Sequence, residues 1–275
     1  MRATALLLLL SLGLPAQTPA SRETTVQALA RKVESSRLRR TVERLASFGT
    51  RHSLSDASSD TRGVGAARRW LAAEARALAA LPGSRLVPFE DRFTAEPGPR
   101  VPKPTEMYNV GVVLPGLDPT RSRDCLVVCG HYDSRANDVM DASSDAPGAN
   151  DNASGVAMAF EMAYAMAQDR TAVSIYFVAT IAEEQGLLGA AHLARRLKDE
   201  GMNVLGMVAA DCVGNVAGPG GTKDAGSARL FSEGVPSGET EAQRRAREAL
   251  GGDNDSPSRE LARYVKRFGE RYVEG

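Results

Sequence analysis

The sequence has little cysteine, little histidine and no net charge. Its 275 residues include three cysteines and three histidines, and 34 basic residues balance 34 acidic ones. Because neither sign of charge dominates and no long run of one sign occurs, the composition indicates no nucleic-acid partner and no anionic membrane surface. The expected partner is therefore not a polyanion.

The cysteines are too few for the disulfide framework of a small exported domain. Cys125 and Cys129 lie on one predicted strand. Four residues at about 3.3 Å each separate them by about 13 Å, which is too far for a bridge. We therefore interpret these two residues and Cys212 as small buried apolar side chains.

Two common hydrolase motifs are absent as well. The sequence contains neither the G-x-S-x-G turn of many serine hydrolases nor the H-E-x-x-H pair of many zinc proteases. A serine hydrolase is therefore disfavoured. Any metal site has to come from residues that the fold brings together from separate segments.

Only one long apolar run occurs, at residues 3–14, directly after Arg2. A basic start, a short apolar centre and an exit of small residues are typical of a secretory signal peptide. The run is shorter than the roughly 20 residues that a membrane-spanning helix needs. We predict a signal peptide at residues 1–20, cleaved after Ala16 or Ala20, and export to the periplasm or the exterior with no membrane span left after its removal.

The rest of the chain, residues 21–275, is predicted to form one catalytic domain. Helical periodicity occurs at 25–47 and 66–81, and further along the chain apolar strands alternate with helices at 154–168 and 186–200. The predicted strands of this part lie at 108–114, 125–130, 173–180 and 204–210. Such alternation predicts an α/β fold, a three-layer α/β/α sandwich with a mainly parallel central sheet.

Acidic residues and one histidine follow the predicted strands at their carboxyl ends. The residues concerned are His131 and Asp133 after the second strand, Glu183 and Glu184 after the third, Asp211 at the end of the fourth, and Asp151 in the loop before the first long helix. Sites in open α/β sheets form outside the carboxyl ends of the strands. We therefore expect these side chains to meet in one crevice.

Several carboxylates in one crevice repel each other and raise each other's pKa, a cost that a divalent cation removes. One imidazole with carboxylate oxygens and no thiolate suits a catalytic zinc better than a structural zinc. Asp133, two residues after His131, is placed to accept the second ring N–H of that ligand and to fix its tautomer. The pattern therefore predicts a catalytic metal centre.

Each residue also has an ordinary interpretation. A single histidine after a strand is commonly hydrogen-bonded within the core or a loop, and Glu183 with Glu184 could begin a solvated helix. Asp151 and Asp211 could cap a helix or a loop. The coincidence of all of them at strand ends, rather than any one residue, favours the metal centre.

Four stretches of the sequence resemble the secreted bacterial aminopeptidases that use two zinc ions, to which glutamate carboxypeptidase and glutaminyl cyclase are distantly related. The stretches are GHYDS at 130–134, PGANDNASG at 147–155, AEEQGLLGA at 182–190 and ADCVG at 210–214. LASFGTRHS at 45–53 is similar to the N-terminal region of that family. The resemblance also implies a cis peptide bond between Asp151 and Asn152.

The resemblance implies a role for each residue of the crevice. His131 and Asp211 would bind one zinc ion, Glu184 would bind a second, and Asp151 would bridge the two. Glu183 would be the general base that takes a proton from water and delivers it to the leaving amine. The implied reaction is hydrolysis of the N-terminal bond of a peptide with a free N-terminus.

The sequence departs from the family at one ligand. The family has a further histidine downstream of the position of Asp211, whereas this sequence has only His52, His131 and His192. We interpret His52 and His192 as packing or surface residues. The expectation is a C-terminally truncated member of the family, a fragment whose second zinc lacks a protein ligand and whose sheet lacks its last strands.

Two other functions stay open. The first is an acyltransferase like glutaminyl cyclase, with a single zinc on the same fold, and the second is a non-catalytic binding domain that has kept the fold. The EEQGLLG run at 183–189 favours the aminopeptidase. Release of an amino acid, against loss of ammonia from a peptide with an N-terminal glutamine, would distinguish the two enzymes.

Overall fold

The structure is a computed structural model that describes residues 19–235, 238–250 and 256–272. The predicted signal peptide therefore lies almost entirely outside the described residues. The helices are α1 (Pro19–Ala30), α2 (Ser35–Ala46), α3 (Gly63–Ala79), α4 (Ser154–Met166), α5 (Leu188–Asp199), α6 (Glu241–Ala249) and α7 (Pro257–Tyr272). The strands are β1 (Val87–Ala95), β2 (Thr105–Leu114), β3 (Asp124–His131), β4 (Ser174–Thr180) and β5 (Asn203–Ala209).

All five strands form one sheet in the order β1-β2-β4-β3-β5. The four predicted strands lie in this sheet, which confirms the α/β fold class. Four of the five strands, β1, β3, β4 and β5, run in the same direction, as the predicted mainly parallel sheet requires, whereas β2 runs antiparallel to both of its neighbours. The reason lies in residues 115–123, which contain only a short 3₁₀ turn and no crossover helix that would return the chain to the other end of the sheet.

Helices cover both faces of the sheet, as the predicted three-layer sandwich requires. Along β3, Val128 packs in the core cluster with α3 and α4, while its neighbour Val127 points to the opposite face. There Val127 packs with Leu193 and Leu197 of α5. Because successive side chains of a strand alternate between faces, each interior strand serves both layers.

β5 differs from the other three predicted strands in its exposure. It pairs with β3 on one side, and within the described residues it forms an edge of the sheet. Val204, Leu205 and Met207 of this strand are exposed. The edge therefore presents unpaired backbone groups together with apolar side chains.

Two local predictions are wrong, and one helix was not predicted. The predicted helix 25–47 is two helices, because Glu34 adopts an extended backbone conformation and its N–H donates to the buried Glu161 carboxylate at 2.7 Å. Cys212 is exposed, whereas Cys125 and Cys129 are buried as expected. Helix α6 has no counterpart among the predicted elements.

No helix of the described residues combines the length and the apolar character that crossing a bilayer requires.

Candidate metal centre

Two glycines allow the segments of the centre to approach each other. A Cβ atom on Gly130 would lie 2.4 Å from the carbonyl carbon of Gly155, and one on Gly155 would lie 2.2 Å from the carbonyl oxygen of Ala210. Such distances exclude any side chain at either position. The end of β3, the start of α4 and the end of β5 therefore meet only because both residues are glycine.

Three of the predicted ligands lie together at this junction. The Nε2 atom of His131 is 3.2 Å from Asp151 Oδ1 and 3.9 Å from Asp211 Oδ2. One ligand atom from each residue lies within 4.8 Å of the others, as required for a shared metal ion. The His131 side chain is only 4% exposed, against 54% for Asp151 and 57% for Asp211. A cis peptide bond joins Asp151 and Asn152, at the position that the resemblance implies.

The electrostatics of His131 test whether this donor set fits a cation. Burial by itself lowers the pKa of the imidazole, but the hydrogen bond with Asp133 and the charges of Asp133, Glu183 and Asp211 outweigh it and raise the pKa to about 9. The surroundings therefore favour positive charge at the imidazole. A zinc ion supplies that charge without a proton, and imidazole with carboxylates is a ligand set that zinc accepts. The residues fit the metal.

Asp133 joins two of the converging loops. Its carboxylate is fully buried and accepts the backbone N–H groups of Glu183 and Glu184 at 3.2 and 3.1 Å. His131 Nδ1 faces the Asp133 carbonyl oxygen at 3.1 Å and its carboxylate at 3.5 Å. The predicted contact with the histidine is thus present, and the same residue also holds the acidic loop in place.

Burial raises the pKa of both Glu183 and Glu184, but different neighbouring charges act on the two carboxylates. Desolvation by burial raises the pKa of Glu183, and the positive charge of His131 partly opposes this effect. Burial also raises the pKa of Glu184 to about 7, together with the charge of Asp151. Glu184 lies outside the compact group of three ligands. Arg135 Nε is 3.7 Å from its carboxylate.

A buried asparagine fixes both ends of the acidic loop. Asn109 on β2 accepts the N–H of Ile181 at 3.1 Å and donates to the carbonyl oxygen of Gly189 at 2.9 Å. Its amide also donates to the buried carboxylate of Asp91 at 3.2 Å. The loop that carries the two glutamates is therefore held from the neighbouring strand.

His192 contacts this network rather than the metal ligands. Its Nε2 atom lies 3.1 Å from Asp91 Oδ1, and its ring stacks on Phe93 with centroids 4.4 Å apart. The interpretation of His192 as a packing residue agrees with these contacts.

His52 is fully buried and close to the acidic loop. Its Nδ1 atom accepts the N–H of Leu54 at 3.1 Å, so Nε2 carries the proton and donates to the carbonyl oxygen of Val139 at 2.8 Å. Gln185 Nε2 lies 3.2 Å from the same nitrogen, while Gln185 Oε1 has no partner among the described residues. His52 therefore contacts two other loops, through Val139 and Gln185.

The backbone is strained next to two site residues. Ala182 and Cys212 have φ angles of 58° and 50°, which only glycine adopts without cost. For other residues this conformation costs roughly 1–2 kcal/mol. One precedes Glu183 and the other follows Asp211, which is where strain is expected when a site fixes its side chains.

Sequence reasoning missed the polar residues that support the ligands. Arg51, Ser53 and Asn109 are buried and bond the segments of the site. The run LASFGTRHS at 45–53 is a usable signal for Arg51 and Ser53, because both lie in this segment, which resembles the family. Asn109 lies within an apolar strand and has no comparable signal.

Comparison with known proteins agrees with this geometry. Residues 109–233 match the model of Peptidase family M28. A probable zinc metalloprotease of Pyricularia oryzae is 43% identical over 246 residues, covering 89% of this chain and 48% of the relative. A probable zinc metalloprotease of Leptosphaeria maculans is 41% identical over 265 residues, covering 96% of this chain and 61% of the relative.

Two aspects of these relatives qualify the resemblance drawn from the motifs. Both are fungal proteins, whereas the motifs pointed to a bacterial group. The chain also spans only about half of the length of the first relative and three-fifths of the second. The family, rather than its bacterial branch, is what the comparisons support.

Solved structures share the fold at low sequence identity. LapB from Legionella pneumophila has a TM-score of 0.55 and 22% identity, covering 74% of this chain and 50% of that chain. Porphyromonas gingivalis glutaminyl cyclase has a TM-score of 0.50 and 21% identity, covering 66% of this chain and 60% of that chain. These two comparisons therefore support the fold alone, since a shared fold does not by itself imply a shared function.

Proposed function

We propose, from the match of residues 109–233 to the model of Peptidase family M28, that this chain belongs to that family and carries the centre of a zinc-dependent aminopeptidase. The proposed reaction is hydrolysis of the N-terminal bond of peptides with a free N-terminus. The proposed full centre holds two zinc ions, one bound by His131 and Asp211 and one by Glu184, with Asp151 shared between them. Export by the segment at 1–20 is part of the same proposal.

One observation carries the proposal. His131, Asp151 and Asp211 come from three separate segments and still place their ligand atoms within 4.8 Å of one another. The charge of Glu183 acts on His131, and the charge of Asp211 acts on Glu183. The buried imidazole and the exposed carboxylates together form a candidate metal site. The half-buried Glu183 beside them is a candidate base.

The residues of the chain divide the chemistry among them. Bound zinc would supply a Lewis acid and a water of lowered pKa. Glu183 is the proposed base, and its raised pKa suits a group that takes a proton from water and returns it to the leaving amine. Asp133 holds the backbone of this glutamate and faces the second ring nitrogen of His131, so it orients both base and ligand.

The second zinc position has fewer ligands. Among the described residues, Asp151 and Glu184 are the two proposed for it, whereas a catalytic zinc usually has three protein ligands. We therefore propose that this chain binds the second zinc weakly and turns over peptides slowly. Metal analysis after dialysis against limiting zinc should give closer to one than to two ions per chain.

The experiment is an assay of residues 21–275 with added zinc on amino-acid p-nitroanilides, beside the variant Glu183→Gln. Amino-acid-dependent release that the variant loses, with zinc content unchanged, supports the aminopeptidase. Loss of ammonia from a peptide with N-terminal glutamine, without amino-acid release, would replace it by the cyclase. Zinc binding with neither activity would favour a non-catalytic binding domain.

A further inference from the structure

The Arg51 guanidinium is fully buried and donates to main-chain carbonyl groups. Its Nε donates to the carbonyl oxygen of Tyr132 at 2.6 Å, and Nη2 donates to that of Gly148 at 2.9 Å. Its Nη1 donates to the carbonyl oxygens of Leu45 and Pro147 at 3.0 and 2.5 Å. Four carbonyls from three segments therefore converge on one side chain.

These carbonyls belong to the loops that carry the metal ligands. Tyr132 stands between His131 and Asp133, and Gly148 lies three residues before Asp151. The planar guanidinium thus joins the loop of the buried ligand to the loop of an exposed ligand. A displacement of this side chain would therefore change the distance between the two loops.

The backbone of Arg51 makes a second connection between the same loops. Its N–H donates to Ser134 Oγ at 3.0 Å, and that hydroxyl donates to the carbonyl oxygen of Ala146 at 2.6 Å. Ser134 follows the first loop and Ala146 precedes the second. Side chain and main chain therefore fix the same pair of segments independently.

The charge of Arg51 is balanced at a distance. Within the described part of the chain it forms no direct ion pair, but the charges of Asp133 and Asp151 act on it. Burial lowers its pKa to about 10, which leaves the side chain charged at neutral pH. Arginine suits this position because its fork presents five N–H donors in fixed directions, whereas lysine offers one compact ammonium.

We propose that Arg51 is a positioning residue for the metal centre. By holding the carbonyls of Tyr132 and Gly148 on one rigid group, it sets the separation of His131 and Asp151 and thereby the affinity for zinc. The inference rests on the zinc centre proposed above. It is tested by metal binding, so that a failure of peptidase activity would not decide it.

The test compares Arg51→Lys with the unchanged chain in zinc titrations against a chromophoric chelator. We expect the dissociation constant for zinc to rise about 10–100-fold, the usual effect of losing a group that orients metal ligands. The absorption bands of bound Co²⁺ should also change, because they report coordination geometry. Thermal unfolding of each metal-free protein measures how much stability the substitution costs.

Arg37→Lys is the matched control. Arg37 also donates through a fork, to both carboxylate oxygens of the buried Glu161, and stacks 3.8 Å from the ring centroid of Tyr164. Its contacts lie among α2 and α4 rather than at the ligand loops. The control should lower the unfolding temperature and leave the zinc affinity and the Co²⁺ bands unchanged.

Equal zinc affinity in Arg51→Lys and the unchanged chain would overturn the proposal, and so would equal losses in Arg51→Lys and Arg37→Lys. If Arg51→Lys does not fold, Ser134→Ala decides, since it removes only the second connection. A several-fold loss of zinc affinity in that variant supports the proposal, and no loss refutes it. Failure of the unchanged chain to bind zinc would instead refute the proposed function.

Discussion

His131 ends one strand and Asp211 lies just beyond the end of the neighbouring parallel strand, yet the two residues lie in different surroundings. β3, which ends at His131, is an interior strand with paired neighbours on both sides and helices on both faces. β5, which precedes Asp211, pairs on one side, and Leu205 and Met207 on it are exposed. The candidate metal centre thus lies between a covered half of the sheet, which contains β3, and an open half, which ends at β5.

The difference concerns how each ligand is held. His131 is fixed by burial, by Asp133 and by the loop that Arg51 holds. Asp211 is half-exposed, and its position depends on the backbone around Ala210, whose carbonyl oxygen accepts a hydrogen bond from Asn152 at 2.8 Å. The side chain of His131 is therefore held in place before a metal ion binds, whereas water would compete with the metal for the carboxylate of Asp211.

The largest expected contrast is in stability. Phe177→Ala, on an interior strand where the ring is fully buried, should cost about 3–5 kcal/mol because it leaves a cavity. Met207→Ala on the edge strand should cost less than about 0.5 kcal/mol, as expected for an exposed position. Urea unfolding followed by circular dichroism measures both, and similar costs would contradict a division into covered and open halves.

The next contrast is in zinc affinity. His131→Ala should weaken zinc binding by more than about 100-fold, because removing a ligand exceeds the 10–100-fold cost of losing an orienting group. Asp211→Ala should cost less, since water can reach the position of its half-exposed carboxylate. Chelator competition measures both values, with Asp118→Ala, an exposed carboxylate in a turn, as the control. A larger loss at Asp211 would reverse the assignment of the preorganised ligand.

A smaller contrast compares two asparagines. Asn109→Ala on β2 leaves the buried N–H of Ile181 and carbonyl of Gly189 without their side-chain partner, which should cost about 1–3 kcal/mol. Asn203→Ala, at the start of the edge strand, removes an exposed hydrogen bond to Asp124 and should change stability by less than about 0.5 kcal/mol. Chemical denaturation of both variants decides, and equal effects would show that the Asn109 network is not stabilising.

The smallest contrast is in pH dependence. Burial raises the pKa of the half-buried Glu74, so its ionised form destabilises the folded state above that pKa, and the penalty is lost as the pH falls. Hydrogen bonds from Asn203 and Arg121 lower the pKa of Asp124, so its contribution is stabilising above the ordinary pKa and is lost as the pH falls through the folded-state value.

Substitution at these two carboxylates should therefore act in opposite directions. Near pH 7, Glu74→Gln should raise the unfolding temperature by no more than about 2–4 °C, the shift that 1 kcal/mol gives in a domain of this size. Asp124→Asn should lower it slightly. Both differences should shrink toward pH 3, where unfolded-state carboxyls are protonated. Differences that grow on acidification would mean that the pKa shifts have the opposite signs.

Much of the fold was predictable because its signals are local. The apolar strands and their alternation with helices follow from short stretches of sequence, and the structure has both. The positions of the ligands were predictable for a related reason. Residues at the carboxyl ends of parallel strands meet at the same edge, so order along the chain already implies His131, Asp151 and Asp211 together.

The sequence by itself therefore determined the four predicted strands, the layers and the meeting of the three candidate ligands. The tertiary structure decided that β2 runs antiparallel, that β5 is exposed, and that Arg51 and Asn109 hold the loops of the site. The partners of these two residues lie about 80 positions along the chain, at Tyr132 and Gly189. Hydrophobic periodicity reports which face of an element is buried, whereas the partner of a buried polar group depends on how distant elements pack.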